Sequence, residues 1–389
     1  MIKRTLEKSI QKLAKKFPVI VITGPRQSGK TTLVKSLFKN KPYVSLENPD
    51  DLELALTDPR RFLAQFTEGA VLDEVQRAPE LFSYIQGIVD QSKKKGQFVL
   101  TGSQNFLLME SITQTLAGRV ALFTLLPFSI SELNKTKYEP KTIEKSLFYG
   151  FYPRIYDDQL LPKEWLPNYI QTYIERDVRQ IKDVHDLPTF QRFLKLCAAR
   201  TGQILNINNI AVDCGISPNT AKSWLNVLES SYITFTLQPH YKNFNKRLIK
   251  SPKLYFWDTG LVCYLLGIQK QQDLLIHPAR GALFETWVIS EFHKQFYNQG
   301  ERPPLYYWRD KQHEVDLILE RSTKLIPLEI KSSTTIQKSL FEALKYWCKL
   351  ASFKTSKSYL IYAGEKEQDY ELAQIKSWKS LPDLTQIQG

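Results

Sequence analysis

Apolar positions in the first third of the chain fall into short, uninterrupted runs. Pro18 to Thr23 is apolar and β-branched, the pattern of a strand buried on both faces of a parallel sheet. Comparable runs occur at Ala70 to Asp73, Phe98 to Thr101 and Val120 to Leu126. Elsewhere the spacing turns helical: Leu6, Ile10 and Leu13 recur among lysines, and Leu33, Leu37 and Phe38 follow the first run. An α/β domain with a parallel sheet is expected over residues 1–155.

The pattern changes in the middle of the chain. Ile207 to Asp213 reads as a short helix, Gly215 as a turn, and Ser217-Pro218 as the cap and first turn of a second helix over Thr220 to Ser230. Ile233 to Leu237 and Lys253 to Trp257 then read as a hairpin, so a helical linker with a winged helix is expected over residues 156–268. Residues 269–389 open on an amphipathic helix, Phe284 to Phe292, followed by strands at Leu305 to Trp308, His313 to Leu319 and Leu325 to Lys331.

The first run leads directly into Gly24, Pro25, Arg26, Gln27, Ser28, Gly29, Lys30, Thr31 and Thr32, which match G-x-x-x-x-G-K-[ST] between a strand and a helix. Glycines let backbone N–H groups curl around phosphates, and a helix N-terminus adds its positive end. Lys30 is then the cation for the β- and γ-phosphates of ATP, and Thr31 a ligand for Mg2+. The second run ends in Asp73-Glu74, where Asp73 would hold the metal through water and Glu74 would act as general base. The third run ends in Ser103, with Gln104 next to it, as γ-phosphate sensors or as an ordinary turn. Arg119 reads equally as a phosphate contact and as a surface arginine.

In the middle segment Glu175 and Arg179 are spaced to pair on a helix, and Arg176 is a candidate arginine finger supplied across a subunit interface. The second helix of the winged helix offers only Lys222 as a cation, while Trp224 and Leu225 read as core. The wing supplies Lys242, Lys246, Arg247 and Lys250 with no acidic residue among them, a pattern for phosphate contacts. Inter-domain spacing is the other use of such a fold.

In the last segment strand alternation puts Glu314 with Asp316 on one face and Glu329 with Lys331 on one face. An acid followed about a dozen residues later by E-x-K on the next strand resembles the PD-(D/E)xK nuclease core, with Val315 where that motif has proline. The resemblance implies that Asp316 and Glu329 bind magnesium, that Lys331 steadies water or phosphate, and that Glu285 completes the metal shell.

Taken together, GPRQSGKTT (24–32), LDEVQ (72–76), TGSQN (101–105), LAGR (116–119), YIERDV (173–178), YFWDTGL (255–261), ALFETWV (282–288), EVDLIL (314–319) and LEIK (328–331) resemble a bacterial and archaeal AAA-type ATPase family. In that family the ATPase domain precedes a C-terminal domain of unknown function with a restriction-endonuclease-like core. The resemblance implies a three-part α/β architecture: P-loop domain, helical and winged-helix middle, nuclease-like C-terminus.

Charge sharpens the choice of partner. The net charge is +13, of which residues 1–150 carry +7 (22 basic, 15 acidic), residues 151–270 carry +5 (15 and 10) and residues 271–389 carry +1 (16 and 15). A basic surface favours polyanions such as anionic lipid or nucleic acid, DNA being the expected partner, although charge does not separate it from RNA. Cys197, Cys214, Cys263 and Cys348 are scattered without a Cys-x-x-Cys pair, which fits a reducing, cytoplasmic setting and argues against structural zinc. The run Val120 to Ile130 is too short to span a bilayer.

Three functions follow from these readings: an ATPase coupled to nucleic acid, a nucleotide-dependent protein-interaction switch with an inert nuclease-like domain, and an ATP-regulated magnesium nuclease. A homo-oligomer is expected where the arginine finger comes from a neighbour.

Overall fold

In a computed structural model the described residues are 2–103, 112, 114–173, 186–240, 250–321 and 324–381. They fall into two compact units. The first comprises Met1–Phe128, Ser230–Tyr232 and Phe296–Arg302, and the second comprises Ser129–Glu229, Ile233–Gln295 and Pro303–Gly389.

The first unit is built on five parallel strands, β1 (Val19–Thr23), β2 (Tyr43–Ser45), β3 (Val71–Asp73), β4 (Phe98–Gly102) and β5 (Val120–Thr124), in the order β2-β3-β4-β1-β5. Alternate residues of each strand serve opposite cores. Val19, Val21, Leu72 and Leu100 pack with Phe62, Phe82 and Ile85 on one face. Ile20, Ile22, Val71 and Val99 pack with Leu6, Ile10, Leu33 and Val34 on the other. Both faces are covered, which is why these strands read as continuous apolar runs. The register sets Thr23 beside Gly102 and Thr124, and Asp73 beside Ser45, so these strand ends line one edge of the sheet.

The second unit holds two sheets. Helices Leu187–Ala199, Ile207–Cys214 and Pro218–Ser230 accompany strands β6 (Gln203–Ile204), β7 (Thr234–Leu237) and β8 (Lys253–Phe256), antiparallel in the order β6-β8-β7. The expected hairpin is present, with Leu237 opposite Lys253, and β6 adds a third strand to it. Gly215 makes the turn between the two helices with φ 71°, and the Ser217 hydroxyl accepts the Thr220 N–H at 3.0 Å, the capping expected at that position.

The other sheet has six strands: β9 (Leu305–Arg309), β10 (Glu314–Arg321), β11 (Lys324–Lys331), β12 (Tyr359–Tyr362), β13 (Gln368–Tyr370) and β14 (Ala373–Ser377), in the order β13-β14-β12-β11-β10-β9. β9, β10 and β11 are antiparallel neighbours, whereas β11, β12 and β14 run parallel. Helix Glu342–Leu350 covers this sheet through Leu344 and Trp347, against Trp308, Val315, Ile318 and Leu360. Between Val315 and Ile318 the pairing with β9 slips by one residue, a bulge that puts two core residues three apart on one face and shifts the alternation at Asp316. All four cysteines are buried and unbridged. No helix among the described residues is long and apolar enough to cross a membrane.

The YFWDTGL segment has a structural explanation. Asp258 caps helix Thr259–Leu265 by accepting from Leu261 N at 3.0 Å and also takes the Phe151 N–H at 2.6 Å. Gly260 lies so near the Tyr149–Gly150 backbone that a Cβ there would stand 2.8 Å from three main-chain atoms. Neither backbone can yield cheaply, so Gly260→Ala should destabilise the folded chain by about 1–3 kcal/mol through overpacking. Urea denaturation of the variant beside the wild type measures this.

Candidate functional site

The P-loop starts where β1 ends. Gly24 turns the chain away from the sheet, and a Cβ there would meet the Leu125 carbonyl oxygen at 2.1 Å, so no other residue fits. Gln27 takes the left-handed conformation with φ 61°. Lys30 is the first residue of helix Lys30–Leu37 and is buried; its ammonium donates to the Gly24 and Pro25 carbonyls, both at 2.9 Å. Lys30 thus curves over the loop that its own helix follows. Ser28 is fully buried, Thr32 is exposed, and Arg26 and Gly29 are partly buried.

A residue that the pattern did not single out anchors this loop. Arg4, buried, donates from Nη1 to the Ser28 carbonyl at 2.7 Å and from Nη2 to the Leu126 carbonyl at 2.6 Å, and its guanidinium lies 4.8 Å from the centre of the Phe128 ring. It sits twenty residues before the loop, where periodicity carries no trace of such a contact.

Asp73, at the end of β3, is buried and collects three hydroxyl groups. Thr31 donates to Oδ2 at 2.7 Å, Tyr43 donates to Oδ2 at 2.5 Å, and Thr101 donates to Oδ1. Burial first, and then the bond to Asp73, push the Tyr43 phenol above its ordinary range. Tyr43 was not anticipated; its only sequence signal is an aromatic residue two positions after Lys41 at the start of a short strand. Next to Asp73, Glu74 is left-handed with φ 55°, and its Oε2 accepts from the Ser103 hydroxyl at 3.0 Å and from Gln76 Nε2.

The hydroxyl of Thr31 and the carboxylate of Asp73 are hard oxygen donors in contact at the mouth of the loop, a set that suits Mg2+. Ser28 Oγ, with no hydrogen-bond partner among the described residues, is a further buried polar atom at the loop. Tyr232, in the short segment counted with this unit, bonds Thr23 Oγ1 at 2.6 Å just before Gly24.

Arg119 is engaged with Asp90 on the surface, Nε to Oδ1 at 2.5 Å and Nη2 to Oδ2 at 2.8 Å, so it makes a surface ion pair. Gln104, Glu175, Arg176, Arg179, Lys242, Lys246 and Arg247 lie outside the described residues. Lys222 and Lys250 are exposed, and Trp224 and Leu225 are buried in the core.

In the second unit the four acidic and basic residues picked from the last segment do come together. One carboxylate oxygen each from Glu285, Glu314 and Asp316 lies within 4.8 Å of the others. Lys331 bridges Asp316 Oδ2, at 3.5 Å, and Glu329 Oε1. Asp316 Oδ2 also takes the Ile330 N–H at 2.8 Å. A residue not foreseen, Lys253 of β8, extends into this group: its buried ammonium donates to Glu285 Oε1 at 2.9 Å and pairs with Glu314 Oε1. Tyr255, two residues along the same strand, donates to Glu285 Oε1 at 2.6 Å. The signal for Lys253 was present, since it is the one charged residue of an otherwise apolar and aromatic strand.

Burial opposes the charge on Lys253, but Glu285, Asp316 and Glu314 outweigh it and hold the ammonium above the ordinary lysine range. Glu329 Oε2 is a buried oxygen with no hydrogen-bond partner among the described residues. Burial, and then the charge of Asp316, push the Glu329 carboxyl up to about 8. A divalent cation does not fit this set as it stands, because an ammonium is already in contact with two of the three clustered carboxylates.

A parallel five-stranded sheet with a P-loop after β1 and Asp73-Glu74 at the tip of β3 defines an AAA-type P-loop ATPase domain, a nucleotide-binding and hydrolysing unit. The profile described as AAA domain matches residues 16–134; domains of unknown function DUF8612 and DUF4143 match residues 140–272 and 280–383. The chain belongs to the same family as the uncharacterized protein Rv2008c of Mycobacterium tuberculosis (strain ATCC 25618 / H37Rv), to which it is 31% identical over 353 residues, 90% of this chain and 77% of the relative.

The uncharacterized protein Mb2031c of Mycobacterium bovis matches with the same identity and coverage. Among solved structures, the Walker-type ATPase PABY2304 of Pyrococcus abyssi aligns with TM-score 0.47 at 14% identity, covering 68% of this chain and 96% of that one. AMPPCP-bound DnaA from Aquifex aeolicus aligns with TM-score 0.31 at 15% identity, covering 58% and 85%.

Two measurements check these sites. Arg4→Gln removes a charge-assisted grip on the loop backbone worth about 1.5 kcal/mol, so nucleotide should bind about tenfold more weakly in a fluorescent-ATP titration. The second concerns Glu329. Between its ordinary value of 4.5 and about 8 the folded protein keeps a proton that the unfolded chain has released, so this group makes stability fall as pH rises through that window. Glu329→Gln should therefore lose less Tm than the wild type between mildly acidic and mildly alkaline buffer.

Proposed function

We propose that this protein is a magnesium-dependent ATPase whose turnover is coupled to nucleic acid, DNA first. The observation that carries the ATPase part is the meeting of Thr31 and Asp73 at 2.7 Å beside the P-loop lysine, with Glu74 held by Ser103 next to them.

In this reading the loop from Gly24 to Thr32 (Pro25, Arg26, Gln27, Ser28, Gly29, Lys30 and Thr31 between them) wraps the phosphates with its N–H groups. Lys30 moves from its own loop carbonyls to the β- and γ-phosphate oxygens. Thr31 and Asp73 hold Mg2+, which neutralises charge on the phosphates when bound. Glu74 takes a proton from the attacking water, and Ser103 orients the Glu74 carboxylate and reports on the γ-phosphate. Arg176 completes the site from a neighbouring copy in a homo-oligomer.

The nucleic-acid part rests on charge and topology. The excess of +7 and +5 over residues 1–150 and 151–270 suits a polyanion. Three helices with strands in the order β6-β8-β7 support a winged-helix reading of the middle segment, and Lys222 and Lys250 are exposed cations on it. Lys242, Lys246 and Arg247 extend the basic stretch. The order β11-β10-β9 with Asp316, Glu329 and Lys331 at adjoining positions supports a nuclease-like reading of the last segment.

One observation favours a second reading, the nucleotide-dependent switch with an inert nuclease-like domain that binds a protein partner. The ammonium of Lys253 stands among Glu285 and Glu314, which speaks against a metal-dependent nuclease.

ATP hydrolysis by the wild type, Lys30→Ala and Glu74→Gln, each with and without single- and double-stranded DNA and RNA, tests the proposal. Turnover should fall by about two orders of magnitude in both variants, with ATP binding retained in Glu74→Gln, and a polynucleotide should stimulate the wild type. Turnover that needs Lys30 but ignores every polynucleotide would leave the switch standing and sink the nucleic-acid coupling.

A further inference from the structure

We propose that Lys253 is a built-in counter-ion that occupies the place of a divalent cation in the acidic cluster of the last segment, and that this keeps metal out. The inference rests on the nuclease-like reading of that segment and is independent of ATP.

The geometry gives three reasons. First, the Lys253 ammonium touches Glu285 and Glu314 together, and those two carboxylates with Asp316 are the group whose oxygens lie within 4.8 Å of one another. A cation held between carboxylates is what a metal site of oxygen donors provides, and here the cation is a side chain.

Second, the surroundings are already compensated. Lys253, Lys331 and Arg309 all pair within the group, the last with Glu314 Oε2 at 2.9 Å, so three cations face four carboxyl groups. At most one formal negative charge remains, too little to draw a hydrated divalent ion out of water. Third, the ammonium is fixed in place. Its side chain is 3% exposed, it comes from a strand paired on both sides, and the Tyr307 ring centre lies 5.6 Å away.

Among the described residues of the group, the carboxyl oxygen left buried without a partner is Glu329 Oε2. It is the atom that would point to a cation if room were made. Removing the lysine should therefore expose a latent site made of Glu285, Glu314, Asp316 and Glu329, selective for hard divalent ions. The chain would then have two kinds of acidic site: Asp73, which works with a metal, and this group, which works with a lysine.

The test uses full-length protein carrying Asp73→Asn, to silence the first unit's carboxylate, and reads Mn2+ binding by electron paramagnetic resonance without nucleotide. This background should show no saturable Mn2+ site. Adding Lys253→Met should create one site per chain, and Asp316→Asn on top should abolish it.

Saturable Mn2+ binding in the background that Asp316→Asn removes overturns the proposal, because metal and lysine would then coexist. A folded Lys253→Met variant that takes no Mn2+ overturns it as well, because the lysine would not stand in a cation site. Should Lys253→Met fail to fold, Lys253→Gln, which keeps a hydrogen-bond donor beside Glu285, is read the same way. DNA cleavage by the Mn2+-loaded Lys253→Met variant reports separately on the nuclease-like reading: metal gained without cleavage keeps the lysine assignment and retires the chemistry.

Discussion

A carboxylate buried at the edge of a parallel sheet has to be satisfied, and Asp73 is satisfied by three hydroxyls from three different places in the chain. Thr31 comes from the helix after the P-loop, Tyr43 from the edge strand β2 and Thr101 from β4. These bonds tie the start of β2 and the ends of β3 and β4 to the first turn of the helix. The carboxylate that would work with magnesium therefore also fixes the strand ends around the loop. An unpaired charge here would cost several kcal/mol, so the three hydroxyls and the sheet register are a single requirement. The parallel order β2-β3-β4-β1-β5 is what allows it, since only parallel neighbours bring their C-terminal ends to one edge.

Much of this unit was legible because its determinants are local. The run Val19 to Thr23, the glycine loop and the helix from Lys30 are contiguous, and each part predicts the next. The acidic tip at Asp73 and the polar tip at Ser103 follow from strand ends alone. Arg4 and Tyr43 were not legible because their partners are set by tertiary path. Arg4 meets Leu126 across 122 positions of sequence and Tyr43 meets Asp73 across 30, and nothing periodic links either pair. Within the second unit, the two helices joined at Gly215 and the hairpin were readable from capping and alternation, whereas the bulge at Asp316 was not, because an extra residue in one strand leaves no mark until it is paired.

The acidic cluster of the last segment shows how a correct grouping can leave its chemistry undecided. Alternation put Glu314 with Asp316 and Glu329 with Lys331, and these residues do assemble. What decides between metal site and ion-pair network is a residue from another sheet, Lys253, whose strand the motif does not include. A buried ammonium paired with two carboxylates is a satisfied arrangement in its own right. Replacing either partner would leave a charge uncompensated, which is the larger penalty. The cluster is thus held for structural reasons even where no reaction occurs, and acidic residues at such positions say little about catalysis by themselves.

Backbone strain separates the two sites further. Gln27 and Glu74 are both left-handed without being glycine, at φ 61° and 55°, and such conformations cost about 1–3 kcal/mol each. A glycine at either place would remove that cost, so the side chain must contribute something glycine lacks. For Glu74 the contribution is visible: its carboxylate meets Ser103 and Gln76, so that two neighbouring acids at a strand tip face different partners. Two carboxylates side by side would otherwise repel one another. The strained turn thus gives the two adjacent acids separate sets of partners. In the lysine-bound cluster no residue is in this strained backbone region, and its carboxylates are kept apart by ammonium groups in place of backbone geometry.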